Sequence, residues 1–217
     1  MSRLDDFLAH HIKGYLFHDI SFMEREDEKG RGVGYPLLMT CCAGIEFLGA
    51  LRSRRQFNAH GMGNQYFADY WQSCLYPVPS PHRTYDQLVY QLMRHGIAHS
   101  FFTKGEIGVV RKRPDLHFTR DQNGLLLVDV VQLGRDVINS YDAYIEPVLT
   151  DASRASEKVD MERRLSEMES DFSVQAMKQS GAVASANPSP VIGATGPITQ
   201  SVAPSPSSGP SGPLGPN

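Results

Sequence analysis

The sequence has few cysteines and no strong excess of charge of either sign. Its three cysteines, Cys41, Cys42 and Cys74, cannot build a disulfide framework. Because none of them forms a pair at metal-ligand spacing, zinc fingers and zinc ribbons are excluded. The formal net charge of −3 excludes a broadly basic, histone-like protein, so contact with nucleic acid would require a local basic patch.

Long apolar runs are also missing. The longest one, Leu37 to Leu51, has 15 residues and contains Glu46, which makes it too short to span a bilayer. The N-terminus carries Asp5 and Asp6 where a signal peptide would have its apolar core. These features predict a cytoplasmic protein that binds no membrane.

Charge is absent after Lys178. The segment 181–217 contains eight Pro, six Gly and seven Ser, which together make 21 of its 37 residues, a composition typical of disorder. The remaining chain of about 180 residues is long enough for one buried core. We therefore predict a folded domain over 1–150, an amphipathic helical arm over 151–180 and a disordered tail over 181–217.

The spacing of apolar residues predicts a mostly α-helical fold. We expect helices near 3–28, from Pro36 to Leu51, at 85–100 after a capping box that begins at Thr84, and along 130–148. Three short runs rich in β-formers, at 106–112, 115–120 and 124–129, predict a small antiparallel β-meander with a turn at Asn123-Gly124. The arm carries an apolar stripe that needs a partner surface and is typical of a docking or dimer helix; its residues are Met161, Leu165, Met168, Phe172 and Ala176.

The segment 94–99, Arg-His-Gly-Ile-Ala-His, has the residue types that cleave RNA without metal. Arginine binds phosphate oxygens through its planar fork, and histidine exchanges protons near neutral pH. Spacing alone is uninformative, because the chain contains five Arg/His pairs with four to six intervening residues. Only Arg94/His99 lies at the end of an apolar helix that follows a buried helix with a single acid, Glu46. A regular helix would hold the two side chains about 140° apart, so either Gly96 distorts the helix or two copies face each other across a dimer.

Structural explanations for these residues stay open. Arg94 would then end a helix, and His99 would be a core histidine bonded to a neighbour. His95 and His99 lack the Glu and the third ligand of a zinc site, so we predict no metal and no cofactor. Glu46 is better explained as the buried partner of an Arg or His than as an acid catalyst. Two basic clusters either are solvated or form an RNA-backbone rim; they are Arg52, Arg54 and Arg55, and Arg111, Lys112 and Arg113.

The segment 92–102, after the buried stretch Cys-Cys-Ala-Gly-Ile-Glu-Phe-Leu at 41–48, resembles the HEPN family. That family's motif is an Arg, a polar residue, three further residues and a His, which Arg94, His95 and His99 match. The resemblance implies an up-and-down helical bundle over about 1–150 that forms a homodimer and cleaves RNA in the dimer cleft independently of metal. It assigns catalysis to Arg94 and His99, with His95 in support.

Two classes of function follow from this. The first is a metal-independent endoribonuclease, which the resemblance connects with toxins or phage defence and with an antitoxin or other protein partner. The second is a catalytically silent module that uses the same cleft to bind RNA, a nucleotide or a protein. A scaffold whose arm and tail recruit partners is a third possibility.

Overall fold

The structure is a computed structural model that describes residues 2–29, 32–54, 57, 61–91 and 107–186, with side chains described up to Lys178. The chain divides into two compact units, Met1–Met177 and Lys178–Asn217. The first unit contains the core and all contacts discussed below. Of the second unit, only the helical residues up to Ala186 are described. The predicted disordered tail therefore lies almost entirely outside the described residues.

The N-terminal segment is helical from Arg3 onwards, as the apolar spacing predicts. It consists of α1 (Arg3–Phe7), a π-helical stretch (Leu8–Phe17) and α2 (His18–Glu28), which follow one another directly. Ser2 and Asp5 form a capping box at its start, with Asp5 N–H donating to Ser2 Oγ and Ser2 N–H to Asp5 Oδ2. Its inward face is buried in the main core through Leu4, Leu8, Ile12, Phe17 and Ile20.

Helix α3 (Gly34–Arg52) is the centre of the domain and packs against α2, α4 and the later helix α6 (Val130–Tyr144). It begins two residues before Pro36, so it is longer than predicted. By length and composition alone it could cross a membrane, but 61% of its most apolar window is buried inside the domain, as expected for a central core helix. At Gly49 it approaches α4 (Gly63–Tyr70) so closely that a β-carbon would lie 2.6 Å from the carbonyl carbon of Tyr66.

In the next helical segments, the start of the helix predicted at 85–100 differs from the prediction. Helix α4 continues as a π-helical stretch (Trp71–Leu75), and its aromatic residues are buried. The predicted capping box at Thr84 is wrong. A 3₁₀ helix (Pro81–Tyr85) already begins three residues earlier, where Ser80 Oγ accepts the His82 N–H, and it leads directly into α5 (Asp86–Val89). Pro81, whose missing N–H costs nothing at a helix start, explains the earlier beginning.

The three β-runs form a sheet, but the predicted antiparallel meander is wrong. The sheet is mixed with the order β1-β3-β2, in which β1 (Ile107–Val110) pairs parallel with β3 (Leu126–Asp129) and β2 (Thr119–Arg120) pairs antiparallel with β3. Residues 111–118 cross the end of β3 through a 3₁₀ helix (Pro114–Leu116) instead of turning back. The crossing chain is held there because Arg113 N–H donates to the Asp129 carboxylate and Asp129 N–H donates to His117 Nδ1.

The predicted hairpin turn between β2 and β3 is confirmed. Gly124 adopts φ +81°, a conformation that glycine takes without strain. Asp121 closes the turn, because its carboxylate accepts the Asn123 and Leu125 N–H groups.

The last helices are α6, α7 (Glu146–Thr150) and α8 (Ala155–Ala186), and the helix predicted along 130–148 is divided close to Pro147 into α6 and α7. Asp129 caps α6 by accepting the Val131 and Gln132 N–H groups. In α8 the predicted apolar stripe is covered at first and then exposed: Met161, Leu165 and Met168 are buried in the domain, whereas Phe172 is 54% exposed. The amphipathic segment therefore finds part of its partner surface within its own chain.

Candidate functional site

The three motif residues Arg94, His95 and His99 lie outside the described residues, and so does Arg55. The structure describes the chain up to Gln91 and again from Ile107, where β1 begins. Glu46 and the residues that precede the motif in the sequence, up to Gln91, are within the described part of the chain.

Glu46 projects from α3 towards the start of α4. A β-carbon at Gly63 would lie 2.5 Å from Glu46 Oε1 and 2.7 Å from the Tyr90 hydroxyl, so both polar atoms share the space above this glycine. Glu46 is half-buried, and Tyr90 is buried at the end of the helix that begins with α5. Tyr90 precedes Arg94 by four residues in the sequence. The single acid of the central helix thus lies beside the helical turn that leads into the motif.

The two basic clusters lie at opposite ends of α3. Arg52 is its last residue, whereas the side chain of Arg111 passes 3.3 Å from the β-carbon position of Gly34, its first residue. At 1.5 Å per residue, these ends are about 27 Å apart. Among the residues that the structure describes, Arg52 and Arg111 therefore do not lie in one patch.

Within the first cluster, Arg52 makes internal contacts. Its Nε donates to Glu157 Oε1 at 3.1 Å, and its guanidinium contacts Cys74 Sγ. Burial alone would lower the pKa of Arg52, but the neighbouring Cys74 and Glu157 outweigh it and raise the pKa. Arg52 therefore anchors α3 to α8.

Arg54 is exposed and lines a cavity of about 390 Å³. Three carboxylates line the same cavity, from Asp69, Glu157 and Asp160. Because these carboxylates would repel a phosphate, this cavity is a poor site for an RNA backbone.

In the second basic cluster, Arg113 and Lys112 have different surroundings. Arg113 forms an exposed ion pair with Asp115 at 2.8 Å. The Lys112 side chain is exposed and lines a smaller cavity of about 250 Å³ beside Asp129 and Arg135. The backbone of Lys112 has φ +55°. A left-handed conformation at a non-glycine residue is strained and holds only where the neighbouring contacts impose it.

A buried polar cluster that the sequence did not indicate links the sheet to the helices. His117 Nε2 lies 3.1 Å from the Tyr76 hydroxyl and 3.6 Å from Asp136 Oδ2, and Tyr76 donates to the same carboxylate oxygen at 2.6 Å. Gln132 Nε2 donates to Asp136 Oδ1 at 2.7 Å. Burial would raise the pKa of Asp136, but hydrogen bonds from His117, Tyr76 and Gln132 outweigh it and lower the pKa. The i, i+4 spacing of Gln132 and Asp136 was the only signal in the sequence.

Arg164 is the clearest buried charge in the described part of the chain. Its side chain is fully buried; Nε and Nη2 donate to the Ser53 carbonyl at 3.3 and 2.9 Å, and Nη1 donates to Glu167 Oε2 at 2.7 Å. We expect Arg164→Met to lower the free energy of unfolding by about 3 kcal/mol, because it removes these three hydrogen bonds from a buried site. Urea denaturation measures the loss.

Arg163→Met is the matched control, since this neighbouring side chain forms only surface pairs with Asp160 and Glu167. It should cost less than about 1 kcal/mol. Equal losses for the two variants would show that burial of Arg164 adds nothing to stability.

Two further observations complete the description of the site. Among residues 2–178 outside the gaps, no group of three or more His, Cys, Asp or Glu side chains is placed to hold a metal ion. No family model, curated protein or solved structure matches the chain. The functional assignment therefore depends on the residues themselves.

Proposed function

We propose that this protein is a metal-independent endoribonuclease of the HEPN type, in which Arg94 and His99 act on one RNA phosphate. The observation that carries the proposal is the position of Glu46, whose carboxylate lies above Gly63 together with the hydroxyl of Tyr90. Tyr90 precedes Arg94 by four residues in the sequence. The mostly helical fold with a central buried helix is compatible with the proposal. A homodimer would let the motif residues of two copies form one cleft.

The chemistry divides between two side chains. His99 accepts the proton of the ribose 2′-hydroxyl and then returns it to the leaving 5′-oxygen, because the ordinary pKa of a histidine lies near 6.5. The 2′-oxygen then forms a bond to phosphorus, the bond to the 5′-oxygen breaks, and a 2′,3′-cyclic phosphate remains. Arg94 donates to the non-bridging oxygens as negative charge develops on them. The bond formed to phosphorus replaces the bond that breaks, and only proton transfers accompany this exchange.

The decisive test is incubation of single-stranded RNA with the protein in the presence of EDTA. Wild type should cleave it, and a substrate with 2′-deoxyribose at the cut should stay intact. Inhibition by EDTA would contradict the mechanism. Binding of RNA without cleavage would favour the silent binding module instead.

Glu46 is proposed as a positioning residue for the motif. We expect Glu46→Gln to lower kcat about 10- to 100-fold, because a small misplacement of reacting groups has an effect of this size. Removing a neighbouring carboxylate also lowers the pKa of a nearby histidine, so the acidic limb of the pH–rate profile should move to lower pH. Rates measured between pH 5 and 8 show both effects.

Glu162→Gln, on α8, is the matched control and should change neither rate nor profile. A Glu46→Gln variant that loses rate with an unshifted profile would assign Glu46 a purely structural role.

The resemblance also suggests a biological setting. Nucleases of this type act as toxins or in phage defence, and an antitoxin or other protein partner would then control the cleft. We place this protein in that setting as part of the same proposal.

A further inference from the structure

The residues 107–129, called here the β insert, are joined to the helices by the buried cluster around His117. We propose that this cluster is an acid-sensitive latch that releases the β insert from the helical domain at mildly acidic pH. The inference is independent of RNA cleavage. It starts from the hydrogen bonds of His117, which use both ring nitrogens.

Both ring nitrogens of His117 take part in hydrogen bonds. Asp129 N–H donates to Nδ1 at 3.1 Å, so the single proton of the neutral ring lies on Nε2 and points to the Tyr76 hydroxyl at 3.1 Å. A second proton would have to bind at Nδ1, where it would face the Asp129 N–H. The charged ring therefore requires that the hydrogen bond between the crossing chain and the end of β3 break.

The groups that face His117 come from several elements. Asp136 of α6 attracts positive charge at Nε2, but its oxygens already accept from Tyr76 and Gln132. The Asp129 carboxylate is engaged as the cap of α6. Arg113, on the crossing chain, pairs with Asp115 at the surface. A positive charge on His117 would therefore face the Asp136 carboxylate, which already accepts two hydrogen bonds. It would meet no free carboxylate in this cluster.

His82 makes the cluster more sensitive to acid. Its ring centroid lies 6.0 Å from that of His117 and 4.9 Å from that of Phe118, within a group of aromatic rings. Burial lowers the pKa of His82, a positive charge on His117 lowers it further, and Asp136 opposes them with a smaller effect. A histidine with a lowered pKa in the closed state contributes stability at neutral pH, which is lost as the pH falls through the ordinary value of about 6.5.

Backbone strain within the β insert favours opening once these contacts are lost. Phe118, which follows His117 directly, has φ +57°, and Lys112 on the same crossing chain has φ +55°. Non-glycine residues adopt this conformation only where surrounding contacts impose it. The aromatic contacts of Phe118 with Trp71 and Tyr76, and the hydrogen bonds of His117, supply that constraint.

Amide hydrogen exchange of the full chain at pH 7.5, 6.5 and 5.5 tests the latch, with protection factors corrected for the pH dependence of intrinsic exchange. We expect amides of β1 and β3 to lose protection about tenfold as His82 charges on opening, and those of α3 to keep theirs. His82→Phe retains a ring of similar shape without a titrating group. In this variant the tenfold loss of protection that His82 causes should disappear.

His18→Phe is the matched control, because the His18 side chain is 65% exposed on α2. It should behave as wild type. Unchanged protection of the β insert at pH 5.5 would overturn the latch. Equal loss of protection in β1 and α3, or a wild-type pH response in His82→Phe, would overturn it as well.

Discussion

Alanine at Arg94 or at His99 is expected to reduce RNA cleavage about 10³-fold or more while the fold stays intact. General acid–base catalysis contributes about 10²–10⁴-fold, and one charge-stabilising donor contributes about 10²–10³-fold. Arg94 cannot replace His99, because an arginine stays protonated and cannot transfer protons near neutral pH. His99 cannot replace Arg94, because an imidazole lacks the planar fork that holds two phosphate oxygens.

Controls for this prediction come from the same residue types elsewhere. Arg120→Ala in β2 and His18→Ala in α2, both at exposed positions, should cleave RNA at the wild-type rate. His95→Ala should cost less than the two catalytic variants, since the resembled motif accepts Asn or Asp there. Gel assays with end-labelled RNA, together with circular dichroism of each variant, provide the measurement. Wild-type cleavage by His99→Ala would refute the mechanism.

Alanine at Gly49 is expected to produce the largest loss of stability. The added β-carbon would lie 2.6 Å from the carbonyl carbon of Tyr66 and 3.2 Å from its Cα, inside van der Waals contact with backbone atoms. A backbone cannot rotate away as a side chain does, so α3 and α4 must separate along the interface that holds much of the core. We expect a loss of about 3 kcal/mol or more, which lowers the Tm by about 6–12 °C in a chain of this length.

Two other helical glycines calibrate this expectation. At Gly44 the added carbon would meet only the flexible end of Leu16, at 2.9 Å, and at Gly14 the nearest atom is the Ala9 carbonyl oxygen at 3.4 Å. Gly14→Ala should therefore be neutral or gain up to about 1 kcal/mol from the better helix propensity of alanine. Thermal unfolding of the three variants should rank them Gly14→Ala, Gly44→Ala and Gly49→Ala in falling Tm. A Gly49→Ala protein as stable as wild type would show that the two helices separate at little cost.

The helices could be predicted because their signals are local. The apolar spacing from Leu4 to Leu16 indicated the first helix, and the all-round apolar stretch at 37–51 indicated that α3 is central and buried. The hairpin turn at Gly124 was also readable, since a positive φ selects glycine. The start of the third helical segment was not, because Ser80 and Thr84 are both acceptable caps and only the path of the chain chooses between them.

The candidate site was predictable only in its residue types. A polar Glu46 in an apolar helix and an Arg/His motif after it are visible in the sequence, but the convergence of Glu46 and Tyr90 above Gly63 is a result of helix packing. The separation of the two basic clusters by the length of α3 follows from the position of Arg111 beside Gly34, which no local pattern contains.

By itself, the sequence determined the helical class of this protein, the burial of its central helix and the composition of its tail, because these properties depend on nearest neighbours along the chain. The tertiary structure alone decided the strand order and the cluster around His117. A parallel pairing of β1 with β3 depends on contacts between Arg113, His117 and Asp129, residues up to 16 positions apart. Such contacts form only when the crossing chain packs against the end of β3, and residue spacing carries no record of that packing.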